Sequence, residues 1–281
     1  MKVYSKEINL TTNKDVKETK IICISDLHYT KKFGMKPLAE IYGMITSYNP
    51  DYICFIGDLL NDDSFEDIYN YITYLGYIAP VMLIDGNHDI KSFEVDDKVH
   101  INKHHILSDE LKSLLDNIRN VYYLKDNRTE YFDNISFTGT NFFHHTHEEE
   151  NIDFLNDNVP DIHDESYNIL LCHSPYIIKK EVLYQLDYRY DSFDAAFTGH
   201  IHNALMPAYI DKHIKKNVGL FTVDDGLFPT DYIGEKEIKL NNDKTLTRIN
   251  VPAIRTIGSD KLNILNKLEP PSLRLVRIKK N

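Results

Sequence analysis

The sequence predicts an α/β sandwich, in which two β-sheets stack face to face and helices flank them. Three observations carry that expectation. Short apolar runs rich in β-branched residues recur along the chain, amphipathic stripes at helical spacing separate the early runs, and the remainder is mostly strand-like. No internal repeat, low-complexity tract or Pro/Gly linker divides the chain, so it reads as one domain over residues 1–281.

The strand-like runs are residues 21–25, 52–56, 81–84, 135–138, 168–172 and 195–197. The first, second, third and fifth are short and continuous, as strands buried on both faces should be. Between the early runs, Leu38, Ile41, Tyr42 and Ile45 share one helical face, as do Phe65, Ile68, Tyr69, Ile72 and Leu75. A third stripe runs through Leu107, Leu111, Leu114, Leu115 and Ile118, with Ser108, Asp109 and Glu110 as its polar first turn. All three stripes read as core-facing. Residues 91–105 and 141–158 lack clear periodicity and read as long surface loops. The tail alternates polar and apolar residues at Leu246-Thr247-Arg248-Ile249 and again from Leu273 to Ile278, which predicts closing strands within 203–281.

Of the 281 residues 42% are hydrophobic, enough for a sizeable core, and the net charge is -11. An acidic chain gains little from counterion release, which argues against general nucleic-acid binding. A small phosphate ester remains compatible, because bound metal ions reverse the sign of the local field. Cys23, Cys54 and Cys172 are odd in number, lack zinc-site spacing and lie in apolar runs, so they read as buried, reduced thiols in a reducing compartment. Residues 1–9 do not resemble a signal peptide and no run is long enough to span a membrane. The expectation is a soluble, cytoplasmic protein.

Five short motifs follow the strand-like runs in order: Asp26-Leu27-His28, Gly57-Asp58, Gly86-Asn87-His88-Asp89, His173 and Gly199-His200-Ile201-His202. They offer two carboxylates, one amide oxygen and four imidazoles as ligands, an inventory that suits a pair of divalent first-row metals better than one. Each motif ends a strand and begins a loop, where ligands collect in open α/β sheets. An isolated Asp-x-His is weak evidence, and His28, His173 or His202 alone would read as a core histidine. The run Leu83 to Asp89 is more specific, since its glycine permits a tight turn that aims Asn87 and His88 at one point.

Taken together these residues resemble the calcineurin-like metallophosphoesterase superfamily, whose motif string is D-x-H, G-D, G-N-H-[D/E], H, G-H-x-H. Asn49-Pro50-Asp51-Tyr52 and Pro80-Val81 resemble the family's run-ins, and Pro270-Pro271-Ser272-Leu273-Arg274 loosely resembles the closing strand of its bacterial phosphodiesterase-like branch. The resemblance implies a four-layer α/β/β/α sandwich of two mixed sheets, with a dinuclear metal site at the strand C-terminal ends. It implies that Asp26, His28 and His202 hold one ion, that Asn87, His173 and His200 hold the other, and that Asp58 bridges them. The ions would be Mn²⁺, Fe²⁺ or Zn²⁺. His88 would bind no metal but sit beside the substrate phosphate, and Asp89 would orient it through a hydrogen bond.

The implied chemistry is self-consistent. Two divalent ions balanced by Asp26, Asp58 and a hydroxide leave the site at about +1, which attracts an anionic ester. Metal lowers the pKa of bound water toward ~7, so hydroxide is available at neutral pH. His88 paired with Asp89 would stay protonated to higher pH than a free imidazole, as a proton donor to the leaving alkoxide must. Asp89 could also act merely as a helix cap.

His144, His145 and His147, with Glu148–Glu150, form a biased tract that reads as a solvated loop, and so do His100, His104 and His105. Leu59-Leu60-Asn61-Asp62-Asp63 lacks the arginine that protein phosphatases of the superfamily carry after Gly-Asp. Asn61 stands where purple acid phosphatases have a tyrosine ligand. Asn203 and Ala204 replace two glycines usual in the membrane-associated bacterial branch. The expected protein is a dinuclear metal-dependent phosphohydrolase, a phosphodiesterase on a small or lipid-linked ester. The alternatives are a phosphomonoesterase or nucleotidase, and a non-catalytic scaffold.

Overall fold

Period-two alternation along continuous apolar strands splits their side chains between two cores. In the strand Thr19–Ile24 (β2), Ile22 and Ile24 face a helical layer while Ile21 and Cys23 face a second sheet. The strands Tyr52–Ile56 (β3) and Val81–Ile84 (β4) divide in the same way, with Cys54, Ile56, Met82 and Ile84 turned toward the second sheet. The computed structural model describes residues 3–61, 65–90, 92–95, 98–101, 109–143, 148–201, 234–241, 243–254 and 271–281.

The first sheet adds Tyr4–Thr12 (β1), Val121–Tyr123 (β7) and Ser272–Lys280 (β14), in the order β1-β14-β2-β3-β4-β7. The second holds Arg128–Phe132 (β8), Ile135–Gly139 (β9), Tyr167–Cys172 (β10), Ala195–Thr198 (β11), Glu235–Lys239 (β12) and Thr245–Asn250 (β13), in the order β12-β13-β11-β10-β9-β8. Each is mixed, with four adjacent parallel strands: β2, β3, β4, β7 in one and β13, β11, β10, β9 in the other. Helices Met35–Tyr48 (α1), Phe65–Gly76 (α2) and Asp109–Asp116 (α3) supply the first outer layer through Leu38, Ile41, Ile45, Ile68, Ile72, Leu75 and Leu115. Helices Glu148–Asp157 (α4) and Lys180–Leu183 (α5) supply the other through Ile152, Leu155, Val182 and Leu183. The architecture is therefore the four-layer α/β/β/α sandwich. Among the described residues no helix is long and apolar enough to cross a membrane.

The six expected strands all form, within two residues of their expected ends. α1 ends where Asn49 adopts a left-handed conformation, followed by Pro50, a pairing that stops helices. Both expected loops contain regular structure. Residues 91–105 hold a hairpin of Ser92–Val95 (β5) and Lys98–Ile101 (β6), and residues 141–158 hold α4. Glu148–Glu150 form the exposed first turn of α4, where negative charge complements the helix dipole. Leu114 points away from the core stripe of α3 and is exposed. Of the closing strands, β13 and β14 form as expected, while residues 202–233 and 255–270 lie outside the described residues. Cys23, Cys54 and Cys172 are buried and free.

Candidate metal centre

The C-terminal ends of the parallel strands converge. Ser25 bridges to Ala253, and the Ile254 amide donates to Ser25 O, which joins the end of β2 to the segment after β13. The loops after β2 and β3 zip together: Asp26, His28 and Tyr29 donate their amides to the carbonyls of Gly57, Asp58 and Leu59 at 3.1, 2.9 and 2.8 Å. Asp26, His28, Asp58 and His200 all hold left-handed backbone, with φ of 51°, 42°, 55° and 68°. Asp and His tolerate that region better than most residues, yet each such residue costs ~1–3 kcal/mol. The fully buried side chains of the preceding strands, worth ~1.5–3 kcal/mol each, offset it.

Two glycines allow the loops to approach this closely. A Cβ on Gly86 would lie 2.1 Å from Asp58 Oδ1, and one on Gly199 would lie 2.0 Å from Ser25 Oγ and 3.0 Å from Asp26 Oδ2. Asp26, with no solvent exposure, accepts hydrogen bonds at Oδ2 from Ser25 Oγ (2.5 Å) and the His200 amide (3.1 Å). Its Oδ1 lies 3.7 Å from His28 Nε2 and 4.0 Å from His173 Nε2. Asp58 Oδ1 accepts from the His88 amide at 2.8 Å, while Oδ2 lies 3.3 Å from His173 Nε2 and 3.6 Å from His28 Nε2. His173 Nδ1 donates to Ile56 O at 2.6 Å, which turns Nε2 toward the carboxylates. His200 Nδ1 and Asn87 Oδ1 are 3.0 Å apart.

The electrostatics ask for positive charge. Burial opposes ionisation of Asp58, but His173, His28 and His88 together hold its carboxyl well below the usual range. Burial likewise disfavours a charged His173, yet Asp58 and Asp26 raise it to about 10. Its Nε2 is fully buried without a hydrogen-bond partner among the described residues, a condition that costs ~1–3 kcal/mol when nothing offsets it. Neighbouring donors on one ion with bonds of ~2.1 Å sit ~3.0–3.4 Å apart, close to the separations of Asp58 from His173 and of Asn87 from His200. The residues thus fit a divalent cation.

Asp26, His28, Asp58, Asn87, His88, His173 and His200 all meet at this centre. His202, His104, His105, His144, His145 and His147 lie outside the described residues, and His100 falls in β6. The expected hydrogen bond between the His88 ring and the Asp89 carboxylate is not formed. Asp89 has no solvent exposure, and both its oxygens accept backbone amides: Oδ1 from Leu59 (3.0 Å) and Leu60 (3.2 Å), Oδ2 from Gly86 (2.9 Å) and Leu59 (3.3 Å). It clasps the Gly57-Asp58 loop to its own turn. Burial, with Asp58 and Asp85 close by, pushes its carboxyl well above the usual range, against the pull of the Gly86 and Leu60 amides. The partner of His88 is Asn61, whose Oδ1 lies 3.2 Å from His88 Nδ1.

Asp89→Ala leaves three buried amides without their acceptor at ~1–3 kcal/mol each. Urea unfolding of metal-free protein should show a loss of about 3 kcal/mol or more. An unchanged midpoint would place those donors elsewhere.

Composition did not single out Phe142 and Tyr176. Phe142, just beyond β9, stands 5.9 Å from the His173 ring and 5.6 Å from that of His200, while Tyr176 stands 6.4 Å from His200. The one available signal was position, an aromatic three or four residues beyond a strand end.

A buried cluster of imidazoles and carboxylates at the strand ends of a four-layer sandwich defines a metallohydrolase centre. The family model for calcineurin-like phosphoesterases matches residues 19–204, and the chain belongs to that family. It is a metal-dependent phosphoesterase with a divalent metal site built from clustered His and Asp side chains. No curated protein sequence matches the chain.

Proposed function

We propose that the protein is a dinuclear phosphodiesterase acting on a small or lipid-linked ester. The observation that supports two ions is that Asp58 is shared by two side-chain clusters, one with His28 and with His88, which this reading keeps for the proton, and one with His173 and His200, each with its donor atoms within 4.8 Å of one another. In this reading Asp26, His28 and His202 hold one ion, Asn87, His173 and His200 hold the second, and Asp58 bridges. The mixed imidazole, carboxylate and amide donors suit Mn²⁺, Fe²⁺ or Zn²⁺. Such ions polarise a phosphoryl oxygen and lower the pKa of a water molecule toward ~7.

The chain's own residues do the rest. With two divalent ions and one hydroxide in place, Asp26 and Asp58 would bring the centre to about +1, a match for the single charge of a diester rather than the two of a monoester. His173 is locked by Ile56 O with Nε2 facing inward. His88 stands at the rim, half-buried, where its ring can pass a proton to the leaving oxygen. Phe142 and Tyr176 offer an apolar wall to the organic group. The same reading takes residues 1–281 as one domain and, from three buried free thiols, places the protein in the cytoplasm.

The test is hydrolysis of bis-p-nitrophenyl phosphate and p-nitrophenyl phosphate with Mn²⁺, Fe²⁺ or Zn²⁺, with and without chelator. Diester turnover that chelation abolishes and metal restores is the expected result. Faster monoester turnover would make it a monoesterase, and no turnover of either ester with any metal would overturn the reading.

A further inference from the structure

We propose that Asn61 is the positioning residue for His88, holding the imidazole in the tautomer that carries hydrogen on Nδ1 and presents Nε2 to the reacting ester. The inference rests on the role of His88 proposed above. It starts from the 3.2 Å approach of Asn61 Oδ1 to His88 Nδ1. A carboxamide oxygen only accepts, so Nδ1 donates and Nε2 is left facing the ester, where it takes a proton from solvent and passes it to the leaving oxygen. Asn61 is itself anchored, since its amide donates to Tyr29 O at 2.9 Å and the adjacent Leu60 bridges to Tyr29. On its other side the His88 ring meets His28 edge-on, with centroids 4.9 Å apart, so its plane is fixed from two directions.

Among the described residues no carboxylate hydrogen-bonds the His88 ring. Asp89, the neighbouring carboxylate, is engaged by Leu59, Leu60 and Gly86. The neutral amide has an electrostatic consequence. A carboxylate at position 61 would bring the centre from about +1 to about zero and weaken its pull on an anionic ester. Asn61 orients His88 without that loss.

Two measurements test this on the full chain. Long-range ¹⁵N–¹H NMR of histidine-labelled, metal-free protein, with His88 assigned by its absence in His88→Ala, should show hydrogen on Nδ1 at neutral pH. Asn61→Ala should lose that preference, and Asn61→Asp, which keeps an acceptor of the same shape, should restore it. In the metal-loaded enzyme, aryl esters of graded leaving-group pKa should separate positioning from general damage. Asn61→Ala should lower the ratio of phenyl to p-nitrophenyl turnover about tenfold, part of the ~10²–10⁴-fold that general acid catalysis supplies.

Hydrogen on Nε2 with a bare Nδ1 in the native protein would overturn the proposal, and so would equal losses across the ester series in Asn61→Ala. If His88→Ala leaves turnover unchanged, the role of His88 falls, while the NMR result still decides whether Asn61 sets its tautomer.

Discussion

Asp58→Ala is expected to bind at least one metal ion fewer than the native protein and to lose hydrolysis to background. Asp58 sits between the two ligand groups, with Oδ2 3.3 Å from His173 Nε2 and 3.6 Å from His28 Nε2. Removing a partner outside the coordination sphere already costs ~10–100-fold in metal affinity, so removal of a shared ligand should exceed that at both positions. The change also strips the His88 amide of its acceptor, Asp58 Oδ1. Asp58→Asn separates the effects, since it keeps the shape and removes the charge. Metal content read by anomalous scattering at the metal edges decides the matter. Two ions at full occupancy in Asp58→Ala would refute the bridging role.

His88→Ala should retain its metal and lose ~10²–10⁴ in turnover, the usual span of general acid–base catalysis. The distinction matters because a ring nitrogen of His88 lies within 4.8 Å of ligand atoms of Asp58 and His28. If His88 were a ligand, the variant would lose metal together with activity. If it transfers a proton, metal content holds and the loss concentrates on poor leaving groups. Unchanged turnover would remove His88 from the mechanism.

Sequence and structure agree best where burial is complete on both sides. β3 and β4 are apolar throughout and β2 and β10 are so from Ile21 and Ile169 onward, the pattern of short strands between two covered faces. α4 escaped notice because Glu148–Asp157 buries only Ile152 and Leu155 among charged neighbours. β1 and β12 escaped for a related reason. Their residues are mostly exposed, and their strand character comes from pairing with β14 and β13. In β1 that partner lies at the far end of the chain, where no local pattern reveals it.

What the sequence by itself determined is the class of chemistry: which carboxylates, amide and imidazoles follow strand ends, and therefore that they suit divalent metal and a phosphoester. That information is local, because a ligand's identity and the strand before it lie within a few residues. Only the tertiary structure decided who supports whom. Asp89 takes the amides of Leu59, Leu60 and Gly86, and Asn61 takes His88, the reverse of what adjacency along the chain implies. Apart from the Gly86 amide in the same turn as Asp89, these partnerships join loops some thirty residues apart. Their geometry is set by the parallel register of β3 against β4, which brings Phe55 opposite Leu83 and Ile56 opposite Ile84 and so delivers the two motif loops side by side.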